Sequence, residues 1–211
     1  MALYPEHAIT RASFAAVDKE IGNHNFTDAE YAVVRRVVHT TADFEFAQLI
    51  DFVGHPFEAA KAALPKAAPI VVDVSMVAAG IQTVVKNTWH NPTVVAVQCA
   101  DELSNNNEAG LTRSAVGMRY CGITYPNAIF AIGNAPTALL ELCQGIQNES
   151  WRPSLVVAAP VGFINVVEAK QALSALSVPH IIVNGRKGGS AVAAAILNAL
   201  MVWTWERSPN G

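Results

Sequence analysis

Ala128-Ile129-Phe130-Ala131-Ile132-Gly133-Asn134-Ala135-Pro136-Thr137-Ala138 is the stretch whose reading decides the fold. Its first five residues form a short apolar run that reads as a buried strand, 128–132. A short loop holding Gly133 and Asn134 then leads straight into a helical pattern over 135–147. Strand, Gly-containing loop and helix in that order make one half of a parallel crossover.

The same unit recurs on both sides. Strand-like runs occupy 69–73 (P-I-V-V-D), 93–98, 154–158 and 180–183, with a weaker one at 49–53. Helical patterns fall near 56–64, 74–85, 108–120, 165–176 and 189–205. Before the first strand come two further helices, 9–21 and 28–38. This alternation predicts an α/β fold: a mainly parallel sheet with helices on both faces, plus two extra N-terminal helices. No linker, repeat or low-complexity tract divides the chain, so residues 1–211 read as a single domain.

Composition narrows the function. The 211 residues are 52% apolar and 15% charged, enough for one large core. The net charge of −3, with no run of more than two Lys or Arg, argues against a nucleic-acid partner. The longest apolar run, 191–203, is shorter than the ~20 residues a bilayer span needs. It reads as a buried helix or a subunit contact, not a membrane anchor. The three cysteines, Cys99, Cys121 and Cys143, form no Cys-x-x-Cys pair and read as reduced, buried fillers. Glu6, His7, Arg11, Asp18 and Lys19 break any secretory pattern at the start, so the expected compartment is the cytoplasm.

The stretch Thr27–Thr41 carries the candidate chemistry. Thr27 with Glu30 three residues on is a capping box, and Tyr31, Val34, Val37 and Val38 fall on one helical face. His39 therefore stands at a helix C-terminus. The helix dipole favours its imidazolium and Arg35, four residues earlier, opposes it, which leaves a group able to exchange a proton near neutral pH. The competing reading is a histidine that only caps the last carbonyls. Asp43 and Glu45 are near enough in sequence to orient His39, or are simply a solvated loop.

In such sheets the ligand crevice lies outside the carboxyl ends of the strands. Three loops there, 133–138, 159–163 and 184–190, are rich in Gly and polar atoms and lead into helices, so their backbone N–H groups are expected to wrap an anionic ligand. For Gly185-Arg186-Lys187-Gly188-Gly189-Ser190 a plain tight turn is the competing reading, and the pattern fits no dinucleotide or P-loop motif. Arg113, between Thr112 and Ser114 inside the 108–120 helix pattern, is either a carboxylate grip or part of a solvated face. Ser13 interrupts the apolar side of the first helix, where a bond back to a carbonyl is the ordinary role. His180, inside an apolar strand, reads as a hydrogen-bonded core residue. The six histidines show no metal-ligand spacing, and no metal site is expected.

Taken in order, these segments resemble the precorrin-8X methylmutase family, including its cobalt-precorrin-8 branch. The matching pieces are Ile9…Ser13-Phe14, Arg35-Arg36-Val37-Val38-His39, Met76-Val77-Ala78-Ala79-Gly80-Ile81, Thr112-Arg113-Ser114, Ile132–Leu139, Pro160-Val161-Gly162-Phe163 and Gly185-Arg186-x-Gly188-Gly189-Ser190. The resemblance implies a cofactor-free isomerase of cobalamin biosynthesis, any cobalt belonging to the substrate macrocycle. It implies transfer of a methyl group from ring carbon 11 to ring carbon 12 of a precorrin-8, giving hydrogenobyrinate or, with cobalt, cobyrinate. His39 matches the family's catalytic histidine, and Ser13 and Arg113 its substrate-contacting residues. Thr40, Asn134, Gly185, Gly188, Gly189 and Ser190 are expected in the substrate-contacting loops. A homodimer with sites near the subunit contact is also implied. The alternatives are a corrinoid-binding carrier with no catalytic task and, from the Gly185 loop, a nucleotide-dependent enzyme.

Overall fold

A computed structural model describes residues 8–102 and 110–209. Two helices, α1 (Ala8–Ile21) and α2 (Asp28–Thr41), precede a short helix α3 (Phe46–Leu49) and the first strand β1 (Ile50–Val53). Then follow α4 (Pro56–Ala63), β2 (Ile70–Val72), α5 (Ser75–Asn87), β3 (Thr93–Val95), α6 (Ala96–Glu102) and α7 (Arg113–Thr124). The remainder alternates strictly: β4 (Ile129–Ile132), α8 (Pro136–Gln147), β5 (Leu155–Ala158), α9 (Val166–Ser174), β6 (His180–Val183) and α10 (Ser190–Glu206).

The strands form one sheet in the order β1-β6-β5-β4-β2-β3, parallel except for β1, which pairs antiparallel with β6. Successive side chains of a strand enter opposite layers. In β4, Ile129 and Ala131 pack with the layer of α2, α5 and α10, while Phe130 and Ile132 pack with that of α7, α8 and α9. All four are buried, and each of the large ones contributes roughly 1.5–3 kcal/mol of transfer free energy. The expected helix-sandwiched sheet is what this pattern produces, and β1, half exposed on the edge, is the weakly patterned strand.

Three of the expected elements differ at an end by three residues or more. The strand expected over 93–98 stops at Val95, because at Ala96 the chain turns into α6, where the Val97 N–H bonds the Asp73 carbonyl. The helix expected over 108–120 begins at Arg113 and runs to Thr124, with the Thr112 hydroxyl accepting from the Ala115 N–H as N-cap; residues 108 and 109 lie outside the described residues. The second helix continues past Val38 to Thr41.

β2 sends its following helix to one face of the sheet and β4 to the other, so the connections diverge between these neighbours. The crevice at such a switch point is where doubly wound sheets bind ligands. Among the described residues no helix is long and apolar enough to cross a membrane.

Candidate active site

The capping box forms as read: the Glu30 N–H donates to the Thr27 hydroxyl, and the Thr27 N–H to the Glu30 carboxylate at 2.8 Å. It starts α2 in the register that carries His39 to the far end. There the last carbonyls are closed by other groups. The Thr40 hydroxyl donates to the Arg36 carbonyl, the Thr41 hydroxyl to that of Val37, and the Ala42 N–H to that of Val38. His39 is exposed, and neither ring nitrogen has a hydrogen-bond partner among the described residues. The capping alternative for His39 therefore gives way to an uncommitted imidazole.

Asp43 and Glu45 do not orient His39. Both accept from the Lys187 ammonium, at 2.5 and 2.7 Å, which ties the loop after α2 to the loop between β6 and α10. The Lys187 hydrogen bond holds the Asp43 carboxyl below its ordinary value, and the two carboxylates raise Lys187. What touches His39 is Phe14 of α1, with ring centroids 4.9 Å apart. Ser13, the residue before it, is half-buried on the same helix. α1 is seated on α2 by Asp18, which accepts from the Tyr31 hydroxyl at 2.6 Å and from Arg35 at 3.3 Å. Burial and this bond to Asp18 push the Tyr31 phenol up to about 12.

Asp73 stands at the carboxyl end of β2 and is completely buried. Its carboxylate accepts the N–H groups of Gly133, Asn134 and Ala135 at 3.0, 2.7 and 2.8 Å. Burial pushes its carboxyl above the usual carboxylate range, and these donors pull it back. The expectation that the 133–138 loop wraps an anion with these N–H groups is thus corrected: they are spent on Asp73. The exposed Asn134 side chain remains available. Gly133 also presses on the start of α10, where a Cβ would lie 2.7 Å from the Ser190 Cα, so Asn134 and Ser190 sit on adjoining turns.

The 184–189 loop is held the other way round. Lys170 of α9, 2% exposed, donates to the carbonyls of Gly185 and Lys187 at 2.8 and 2.9 Å. The Arg186 carbonyl accepts from Gly162 of the β5–α9 loop. The N–H groups of residues 185–188 have no acceptor among the described residues. The Gly189 N–H, by contrast, is bound to the Ala159 carbonyl. Gly188 has φ +155° and a Cβ there would lie 2.3 Å from the Ala159 oxygen, so only glycine fits. Burial lowers Lys170 from 10.5 to about 8.

Arg113 is the first residue of α7 and exposed. Thr112 bonds Thr137 of α8 at 2.8 Å, which brings Arg113 beside the loop of Asn134. A cation in the first turn opposes the helix dipole, while an anion placed there meets both the guanidinium and the positive end of that dipole. Every expected site residue thus lies at the carboxyl end of the sheet or on α1 and α2 beside it. Asp73 and Lys170, which brace the site from below, were not singled out by the sequence reading.

Among the described residues, clefts open elsewhere. One of about 550 Å³ lies among Lys66, Pro69, Tyr125 and Ser154, and another of about 570 Å³ among Trp151, Arg152 and Pro179. Both are at the amino ends of the strands. The third, of about 390 Å³, lies between Thr27, Phe57 and Trp203. None includes His39, Ser13 or Arg113. At the carboxyl end the notable surface is apolar: Phe163, Ile164 and Met76 are 85%, 79% and 70% exposed. His180 is buried, its Nδ1 2.7 Å from the Val178 carbonyl and its pKa lowered by burial, as a core histidine. Cys121 and Cys143 are buried and Cys99 partly so, all three free. Among the described residues no group of three or more His, Cys, Asp or Glu is placed to hold a metal ion.

Among the described residues, an uncommitted imidazole, a helix-initial arginine and a loop with unpaired N–H groups lie along one edge of a doubly wound sheet. Comparison with known proteins gives the family. The Precorrin-8X methylmutase family model matches residues 8–203. The chain is 46% identical over 214 residues to the cobalt-precorrin-8 methylmutase of Synechocystis sp., covering 95% of this chain and 97% of that one. It is 37% identical to the precorrin-8X methylmutase of Pseudomonas aeruginosa, with 92% and 93% covered. The crystal structure of precorrin-8x methyl mutase from Thermus thermophilus superposes with a TM-score of 0.87 at 38% identity, covering 95% of this chain and 97% of that one. The chain belongs to the precorrin-8X methylmutase family, isomerases of cobalamin biosynthesis. That membership replaces both the carrier and the nucleotide-dependent alternatives.

Proposed function

We propose that this protein moves a methyl group from ring carbon 11 to ring carbon 12 of cobalt-precorrin-8, giving cobyrinate, with His39 as general acid. The observation that carries the reading is the His39 imidazole, exposed and without a hydrogen-bond partner among the described residues, in a chain of the methylmutase family. The shift is intramolecular, so atoms balance without a co-substrate. In the cobalt compound the ring nitrogens are bound to the metal, so His39 donates its proton to the conjugated carbon framework, which draws electron density out of the π-system and loosens the migrating methyl; the proton returns to His39 as the new bond settles. Such an acid supplies a factor of ~10²–10⁴. No protein-bound cofactor or metal is invoked, since any cobalt belongs to the macrocycle.

Ser13 and Arg113 hold the substrate in this reading, Arg113 by a charge-assisted bond to a peripheral carboxylate. The side chain of Asn134, Thr40, the N–H groups of Gly185 and Gly188, and Ser190 complete the polar contacts; Gly189 contributes only its backbone turn. The cobalt form is favoured over precorrin-8X by the higher identity to the cobalt-precorrin-8 relative, 46% against 37%. A homodimer is part of the proposal, supported by the exposed Phe163, Ile164 and Met76, as is action in the cytoplasm.

The test is a parallel assay of the purified protein with cobalt-precorrin-8 and precorrin-8X, followed by the visible spectrum. Repeated turnover, faster with the cobalt compound, is expected. A stoichiometric spectral shift without turnover refutes the catalytic reading, and faster turnover of precorrin-8X refutes the substrate choice.

A further inference from the structure

We propose that Phe14 is a positioning residue for the reaction: its ring, braced by Arg35, holds the His39 imidazole in its working orientation. The inference rests on the acid role proposed for His39.

A catalytic histidine is usually oriented by a hydrogen bond from its second nitrogen to a carboxylate or carbonyl. Here that device is missing among the described residues, since neither nitrogen of His39 is bonded and the nearby carboxylates of Asp43 and Glu45 are engaged by Lys187. The imidazole therefore depends on packing. Its ring contact is Phe14, at 4.9 Å between centroids and tilted by 51°. The Phe14 ring is itself fixed. It is 6% exposed, and the Arg35 guanidinium carbon lies 4.6 Å from its centroid. Arg35 and His39 are four residues apart, hence neighbours on one face of α2, and the ring contacts both. Arg35 is in turn held by Asp18 of α1, which closes the circuit Asp18–Arg35–Phe14–His39. Each link joins α1 to α2 or is a direct ring contact.

This arrangement leaves both imidazole nitrogens open, one to hand over a proton and the other to donate a hydrogen bond to substrate or solvent. A carboxylate partner would occupy one of them. The ring contact fixes direction without occupying either. An acid must lie within hydrogen-bond reach of its target, and a misplacement of ~1 Å costs up to ~10² in rate. Loss of the contact leaves the ring free to visit other rotamers, of which a fraction is productive.

Phe14→Leu keeps an apolar side chain between the helices and removes the ring. Turnover of cobalt-precorrin-8 should fall about tenfold in kcat with KM unchanged. In the His39→Ala background the same substitution should cost nothing further, because there is no imidazole left to orient. Independently of activity, the Hα–Hβ couplings of His39 should change from those of one staggered rotamer in the native protein to averaged values in Phe14→Leu. Unchanged kcat in Phe14→Leu, or an equal loss in the His39→Ala background, overturns the proposal, as does averaging of the couplings already in the native protein. Should His39→Ala itself retain full turnover, the acid reading fails, and the couplings still decide whether Phe14 orients the ring.

Discussion

The β4–α8 loop and the β6–α10 loop are each pinned by one buried charge, but by opposite edges of the backbone. Asp73 takes the N–H edge of Gly133, Asn134 and Ala135, whereas Lys170 takes the carbonyl edge at Gly185 and Lys187. The first loop turns its donors inward and offers a substrate its side chains. The second turns its acceptors inward and leaves the N–H groups of residues 185–188 without an acceptor among the described residues. Two Gly-containing turns that look alike in sequence therefore present different chemistry, and the choice is made by a single residue on a different element.

Each clamp can be removed by a single substitution. Asp73→Ala strands three N–H groups in the interior. Urea unfolding should show the largest loss among these variants, about 3–5 kcal/mol, with turnover lost as the Asn134 loop releases. Lys170→Met leaves two carbonyls without their donor and should cost about 2–3 kcal/mol, since unpaired carbonyls are better tolerated than unpaired N–H groups. If Lys170→Met proves costlier than Asp73→Ala, the ranking of the two clamps is wrong.

pH separates the clamps further. The unfolded chain keeps the Lys170 proton up to about pH 10.5 and the folded chain only to about 8. Between those values the unfolded state carries more protons, so stability rises with pH, by about 3 kcal/mol in all. Urea titrations at pH 7.5 and 10 should show this rise in the native protein and lose it in Lys170→Met. The smallest effect belongs to Lys187→Ala, which cuts the exposed pair with Asp43 and Glu45. Asp43 is held below 3.8 by Lys187, so the stability this pair lends is present above that value and fades as pH falls through the lowered one. NMR titration of Asp43 should show its pKa rising in Lys187→Ala, with the thermal midpoint at pH 7 scarcely moved.

The sheet was legible in the sequence because β2, β4, β5 and β6 are buried on both faces and read as unbroken apolar runs. β1 read weakly because an edge strand buries only part of its length. The position of His39 was legible too, since a capping box at Thr27 and Glu30 fixes where the helix starts. Its partners were not. Asp43 and Glu45 lie four and six residues from His39, yet their actual partner Lys187 is 144 and 142 residues further on. Asp73 looked like the last residue of a strand, and Lys170 like one more polar residue of a helix. Their roles arise only when crossovers bring distant loops onto them, which periodicity cannot report.

The most direct test is turnover of cobalt-precorrin-8 by His39→Ala, measured beside binding of cobyrinate. A drop in kcat of at least ~10² with product binding retained is the predicted result. Turnover at the native rate in that variant would contradict the assignment of the proton to His39.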